Sequence, residues 1–102
     1  MKYWLAQYNS VAIWGGGVKG RTYIQLLEKN GSDHVKYIFD SNKIMTGYYM
    51  GNCNIPIEVP TEEKLDQCDL VIVTALEYYK EIKDILWNKY HFQGKVVSIK
   101  EL

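Results

Sequence analysis

The sequence predicts a three-layer α/β domain with a parallel sheet of about five strands in the order 3-2-1-4-5. Three observations predict it. Val11-Ala12-Ile13-Trp14 and Leu70-Val71-Ile72-Val73 are continuous apolar runs, the pattern of strands buried on both faces. Stretches of helical spacing alternate with strand-like runs along the chain. Each long apolar run ends in residues that open a turn and a helix, Gly15-Gly16-Gly17 after the first and Thr74-Ala75 after the second.

In order, residues 1–9 form a lead-in to the first strand, Val11 to Trp14. A helix follows over residues 18–29, where Tyr23, Ile24, Leu26 and Leu27 fall at helical spacing and Asn30-Gly31 supplies a stop. His34 to Asp40 is the second strand, with Val35, Tyr37 and Phe39 alternating with Lys36 and Ile38. A polar excursion over residues 41–51 leads to a short third strand, Ile55 to Val59. Pro56 confines that strand to a sheet edge, because proline cannot donate to a central ladder. Thr61 caps a short helix with Glu62 and Glu63 in its first turn, ending near Gln67. Leu70 to Val73 is β-branched and bounded, so it is expected at the centre of the sheet. Thr74 and Glu77 fit a capping box for a helix reaching about Tyr90, with Tyr79, Ile82, Ile85 and Leu86 on one face. Gly94 is the expected breaker, and Lys95 to Ile99 the fifth strand.

A chain of 102 residues suffices for one core, so a single domain over 1–102 is expected. The 12 Lys and Arg balance the 12 Asp and Glu, which argues against a nucleic-acid partner or an anionic membrane surface; both need excess cations. No apolar run is long enough to span a bilayer, and the opening MKYWLAQYNS lacks the features of a secretory signal. Cys53 and Cys68 form no CxxC and are expected as reduced thiols, so the expected location is cytoplasmic.

The order 3-2-1-4-5 puts a switch point between the first and fourth strands, and ligands of open α/β sheets bind there, beyond the carboxyl ends of the strands. Both Gly15-Gly16-Gly17-Val18-Lys19-Gly20 and Thr74-Ala75 fall at that crevice. Gly15, Gly17 and Gly20 match GxGxxG in its meaningful context, after a buried strand and before a helix. Gly15 permits a sharp exit from the strand, Gly16 and Gly17 let a pyrophosphate approach the backbone, and Gly20 lets the helix lie close to the sheet. Amides of the first helical turn, from Val18 onward, point at the phosphate; Lys19 either adds a cation there or is simply solvated. Asp40, with Ser41 beside it, follows the last glycine at the distance where an acid accepts hydrogen bonds from ribose hydroxyls; its charge disfavours NADP against NAD, while the nearby Lys43 leaves that choice open. A purely structural turn, with Asp40 capping a loop, is the competing explanation.

Other constellations carry less. Tyr79 and Lys83 have the YxxxK spacing, but Tyr79 shares a face with Ile82 and Leu86, and core packing explains it. His34 and His91 are isolated from any nucleophile in sequence, and both are expected at element ends. Glu62, Glu63, Asp66 and Asp69 are expected to decorate a short helix and a strand start. The Tyr48-Tyr49 and Tyr78-Tyr79 pairs offer aromatic surface for a ligand or partner, though tyrosines also fill small cores with their hydroxyls wet. No catalytic residue and no metal ligand set stands out.

Together, Val11 through Gly20, the end Ile38-Phe39-Asp40 and Leu70 through Thr74 resemble the small Rossmann-like module of bacterial surface-polysaccharide enzymes. Such modules form the N-terminal domain of bacillosamine-type sugar acetyltransferases and of nucleoside-diphosphate-sugar dehydratases and epimerases. They also accompany glycosyltransferases and methyltransferases. The resemblance covers about residues 10–99. Trp14 departs from it, standing where a small or tyrosyl residue is usual.

The resemblance implies a module binding NAD or a nucleotide sugar such as a UDP-sugar, connected with sugar or polysaccharide metabolism and not catalytic alone. Its expected partners are that nucleotide and either a second copy of the chain or a companion catalytic domain. The alternatives are an interaction domain of the same fold with an unused pocket, and a small NAD-dependent reductase completed by a second domain.

Overall fold

The computed structural model describes residues 8–15, 35–49, 55–98 and 100. The expected helix over 18–29 and the glycines Gly16, Gly17 and Gly20 lie outside the described residues. So do Val18, Lys19, His34 and Cys53.

Five parallel strands form one sheet: β1 (Val11–Trp14), β2 (Val35–Phe39), β3 (Ile57–Glu58), β4 (Leu70–Val73) and β5 (Lys95–Ser98). Their spatial order is β3-β2-β1-β4-β5, the predicted one. The pairing sets Trp14 level with Phe39 on one side and with Val73 on the other, so these three strands end together at one edge. The fold is Rossmann-like α/β, with β1 and β4 adjacent at the switch point.

The alternation of a strand assigns each residue to one face. One face carries Val11, Ile13, Ile38, Ile57, Leu70, Ile72 and Val97. The other carries Ala12, Trp14, Phe39, Val71, Val73 and Val96, which pack with Leu65 of α1 (Glu62–Leu65) and Ile82 and Leu86 of α2 (Tyr79–Asn88). Ile82 and Leu86 are four residues apart, so both face the sheet. β1 and β4 are buried at every position, because each has a strand on either side and apolar groups above and below.

Local signals explain most element ends. Thr61 caps α1 as expected, its hydroxyl oxygen accepting from the Lys64 amide at 3.2 Å. β3 lies at the edge that Pro56 requires, although it is shorter than expected, and Pro56 instead forms an antiparallel bridge with Tyr49. A short 3-10 turn, Lys43–Met45, interrupts the polar excursion and is capped by the Asn42 side chain.

Four expectations are corrected. Thr74 and Glu77 form no capping box. A 3-10 turn, Leu76–Tyr78, precedes α2, and neither element has a side-chain cap, because the Thr74 hydroxyl is directed at β1 instead. Ile85 leaves the core face and is 40% exposed. α2 stops at Asn88 without a glycine: His91 takes the left-handed conformation at φ 54°, which histidine tolerates better than bulky or branched residues, and the Phe92 amide donates to Leu86 O at 2.8 Å. Gly94 is needed for close approach, since a Cβ there would lie 2.7 Å from Asp69 O and 2.5 Å from the Phe92 ring. Asp69, in turn, does more than decorate a strand start. Its carboxylate accepts from the Asn9 and Ser10 amides at 2.9 and 3.0 Å, tying the entry of β1 to that of β4.

Candidate functional site

Where β1 ends, the chain is held from both sides. The Gly15 amide donates to Phe39 O of β2 at 2.7 Å. On the β4 side, Trp14 O accepts from the Thr74 amide at 3.0 Å and from its hydroxyl at 3.1 Å, with Gly15 O 3.3 Å from the same hydroxyl. Gly15 has φ +123°, a conformation that side-chain-bearing residues avoid, and a Cβ on it would collide with the Thr74 hydroxyl oxygen. The sharp strand exit predicted for Gly15 is therefore present, and its own amide is spent inside the sheet. Thr74 is 2% exposed and stands behind this exit, fixing its direction.

At the end of β2, the Asp40 amide donates to Glu58 O at 2.9 Å, and the carboxylate accepts from the Asn42 amide at 2.9 Å. This is a turn in which an aspartate bonds the backbone two residues on.

Gly15, Asp40, Ser41 and Ala75 come together on the wall of one cleft of about 440 Å³, open at the carboxyl ends of β1, β2 and β4. Trp14 belongs to its lining. Only 4% exposed, its ring lies 6.3 Å from that of Phe39 and 6.2 Å, edge-on, from that of Tyr90. The bulky residue before the first glycine thus packs into the core beneath the cleft. The opposite wall consists of Tyr78, Glu81, Ile82 and Ile85, with Lys89 and Tyr90 beyond the end of α2. Of this wall, the sequence offered Tyr78 as aromatic surface for a ligand or partner and assigned Ile82 and Ile85 to the core face, while Glu81 and Lys89 were missed. Its signal was the spacing of Tyr78, Ile82, Ile85 and Lys89, which marks one side of a helix but not whether that side is covered.

Elsewhere, packing accounts for the chemistry-bearing groups. The Tyr79 hydroxyl donates to Val96 O at 3.3 Å, and the Lys83 ammonium lies over the Tyr79 and Trp87 rings at 5.6 and 4.8 Å; the YxxxK pair is structural, as expected. His91 is exposed, with Nδ1 3.4 Å from the Glu62 carboxylate. Lys64 pairs with Glu58 at the sheet edge and lies over the Tyr37 ring. Cys68 is a free thiol; burial first, and the charge of Asp69 second, push its pKa up to about 11. Among the described residues, no three His, Cys, Asp or Glu side chains group as metal ligands, and no helix is long and apolar enough to cross a membrane.

The chain matches the family model of the C-methyltransferase C-terminal domain over residues 2–99. Among solved structures it is similar to the crystal structure of RSP, a Rex-family repressor, with a TM-score of 0.64 and 17% identity over 86% of this chain and 44% of that one. It is likewise similar to RSP in complex with β-NADH, with a TM-score of 0.57 at the same identity and coverage. The chain thus spans 44% of the length of RSP, and at this identity the likeness establishes the fold. No curated protein matches it.

Proposed function

The chain belongs to the C-methyltransferase C-terminal domain family, and from that premise we propose that it is a nucleotide-binding module that acts beside a catalytic domain rather than alone. The ligand is NAD, a nucleotide sugar or a similar nucleotide. Its ribose hydroxyls donate to Asp40. Its phosphates lie against the turn Gly15-Gly16-Gly17-Val18-Lys19-Gly20, with Ser41 and Ala75 closing the edge and Thr74, buried behind the strand exit, holding that turn rather than the ligand. The observation that carries this reading is the cleft itself: it opens at the carboxyl ends of β1, β2 and β4, where open α/β sheets bind ligands, with Gly15 and Asp40 on its wall. That a protein of like fold, RSP, has been solved with β-NADH supports testing that cofactor first.

The family name supports the companion: a C-terminal domain of a C-methyltransferase works with a region that transfers a methyl group to carbon. In this reading residues 1–102 form the module, its role is to hold the nucleotide end of a substrate or cofactor, and the chemistry occurs on the other domain. A connection with sugar or polysaccharide metabolism, and a cytoplasmic location, rest on the sequence alone.

Titration calorimetry with NADH, UDP-glucose and S-adenosylmethionine tests the reading. At least one ligand is expected to bind below millimolar, and Asp40→Ala to weaken it by about tenfold, the value of a charge-assisted hydrogen bond. No heat of binding at millimolar ligand sinks the proposal. A second reading, an interaction domain with an unused pocket, draws on the exposed Ile44, Tyr48 and Tyr49 beside β3. Sedimentation showing a dimer that Tyr48→Ser dissociates would favour it.

A further inference from the structure

The sheet ends in two edge strands, β3 and β5. An edge strand turns every second residue's backbone N–H and C=O outward, where a strand of another molecule can pair with them. At β3 the chain itself takes these groups. The Gly47 amide donates to Ile57 O and the Ile57 amide donates to Tyr48 O, each at 2.8 Å, and Tyr49 bridges Pro56.

β5 is treated differently. It pairs in parallel with β4, with Lys95 opposite Leu70, and the Lys95 amide donates to Asp69 O at 3.0 Å. Lys95 and Val97 therefore turn their backbone groups toward β4, and Val96 and Ser98 turn theirs away. The outward carbonyl of Val96 is the one that accepts from the Tyr79 hydroxyl, at 3.3 Å. Among the described residues no strand lies beyond β5, but Val96 is only 7% exposed. The phenol is held in place from both sides. Tyr79 is the first residue of α2, its ring packs against the core cluster that contains Val96, and the Lys83 ammonium one turn on lies over it at 5.6 Å.

We propose that Tyr79 seals the β5 edge: its side chain occupies the acceptor that an added strand needs and keeps the chain from pairing through β5 with a second copy of itself. An incoming strand lies about 4.8 Å from its neighbour and must donate an N–H to Val96 O, where the phenol already stands. With Ile57 engaged at the other edge, the sheet is closed on both sides. A companion domain or a second copy then docks through side chains and does not extend the sheet. This inference is independent of the nucleotide reading.

The test compares the wild type with Tyr79→Phe, which removes the hydroxyl and keeps the ring, and with Tyr79→Ser, which removes both. Sedimentation velocity reads self-association over a wide range of concentration, and amide hydrogen exchange at Val96 reads whether the contact lies at this edge. At least one folded variant is expected to self-associate at least about tenfold more tightly than the wild type, with Val96 exchange slowing as concentration rises. Circular dichroism melting verifies folding, and Tyr79→Phe, which loses one hydrogen bond, keeps the test open should Tyr79→Ser unfold. The inference is overturned if no folded variant associates more tightly than the wild type, or if association leaves Val96 exchange unchanged. Concentration-dependent slowing of Val96 exchange in the wild type also overturns it, because the edge would then already be open.

Discussion

Along the strand wall of the cleft, Gly15, Trp14 and Thr74 consume one another's hydrogen-bonding groups, and Gly15 has no space for a single added carbon. Along the helix wall, Tyr78, Glu81, Ile85 and Lys89 project toward solvent, with room around them. The strand wall is closed, and its shape is fixed by folding. The helix wall is open, and these side chains face solvent rather than the core. Substitutions at Gly15, Trp14 and Thr74 should therefore register as lost stability. Substitutions at the exposed residues of the helix wall should register as lost binding with the fold intact.

The largest effect tests the closed side. Gly15→Ala meets backbone strain at φ +123° and overlap with the Thr74 hydroxyl, each costing about 1–3 kcal/mol, so a loss of about 4 kcal/mol is expected in urea denaturation. A loss under about 1 kcal/mol would show that the strand exit relaxes easily and that the two walls do not differ.

Next is the contrast between adjacent residues of α2. Leu86→Ala removes a fully buried side chain and is expected to cost about 3 kcal/mol in the same measurement. Ile85→Gln, on the open side, is expected to cost under about 1 kcal/mol. Equal costs would mean that Ile85 is a core residue in solution and that the helix wall is closed.

Thr74→Val keeps the shape of the side chain and removes its hydroxyl. It leaves Trp14 O with the Thr74 amide bond, so the expected loss is about 1–2 kcal/mol, with nucleotide affinity falling only if the strand exit shifts. Calorimetry on the variant separates the two effects.

The smallest effect at neutral pH concerns Cys68. Its folded-state pKa of about 11 lies above the ordinary thiol value of 9.0, so the folded state retains a proton that the unfolded state releases. The stability this contributes is fully present below pH 9 and is lost as pH rises through 11. Urea midpoints at pH 8 and pH 10.5 should differ more for the wild type than for Cys68→Ala. An equal difference in the two would show that the thiol is not buried in solution.

Much of the fold was legible in the sequence because strands buried on both faces and parallel crossovers leave strong local marks. Val11 to Trp14 and Leu70 to Val73 were recognisable from apolar continuity, the edge position of β3 from Pro56, and the α1 cap from Thr61. Gly15, Asp40, Ser41 and Ala75 were expected together at the carboxyl edge of the sheet, and the structure gathers them in one cleft. The hydroxyl of Thr74 was misread as a helix cap because a capping box and a buried cross-strand bond share the same residue types. Glu81 and Lys89 were missed, and Ile85 was assigned to the core, because periodicity shows which residues share a side, and only packing shows whether anything covers it.

The sequence by itself determined the strand order, the switch point between β1 and β4, and the need for glycine where β1 ends, since these follow from chain connectivity and local backbone geometry. The tertiary structure alone decided that the Trp14 indole packs beneath the cleft, that Thr74 locks the strand exit, and that the flank of α2 bearing Ile85 stays open. Those outcomes depend on which distant segments fill space and which do not, and volume is settled only when the whole chain is packed.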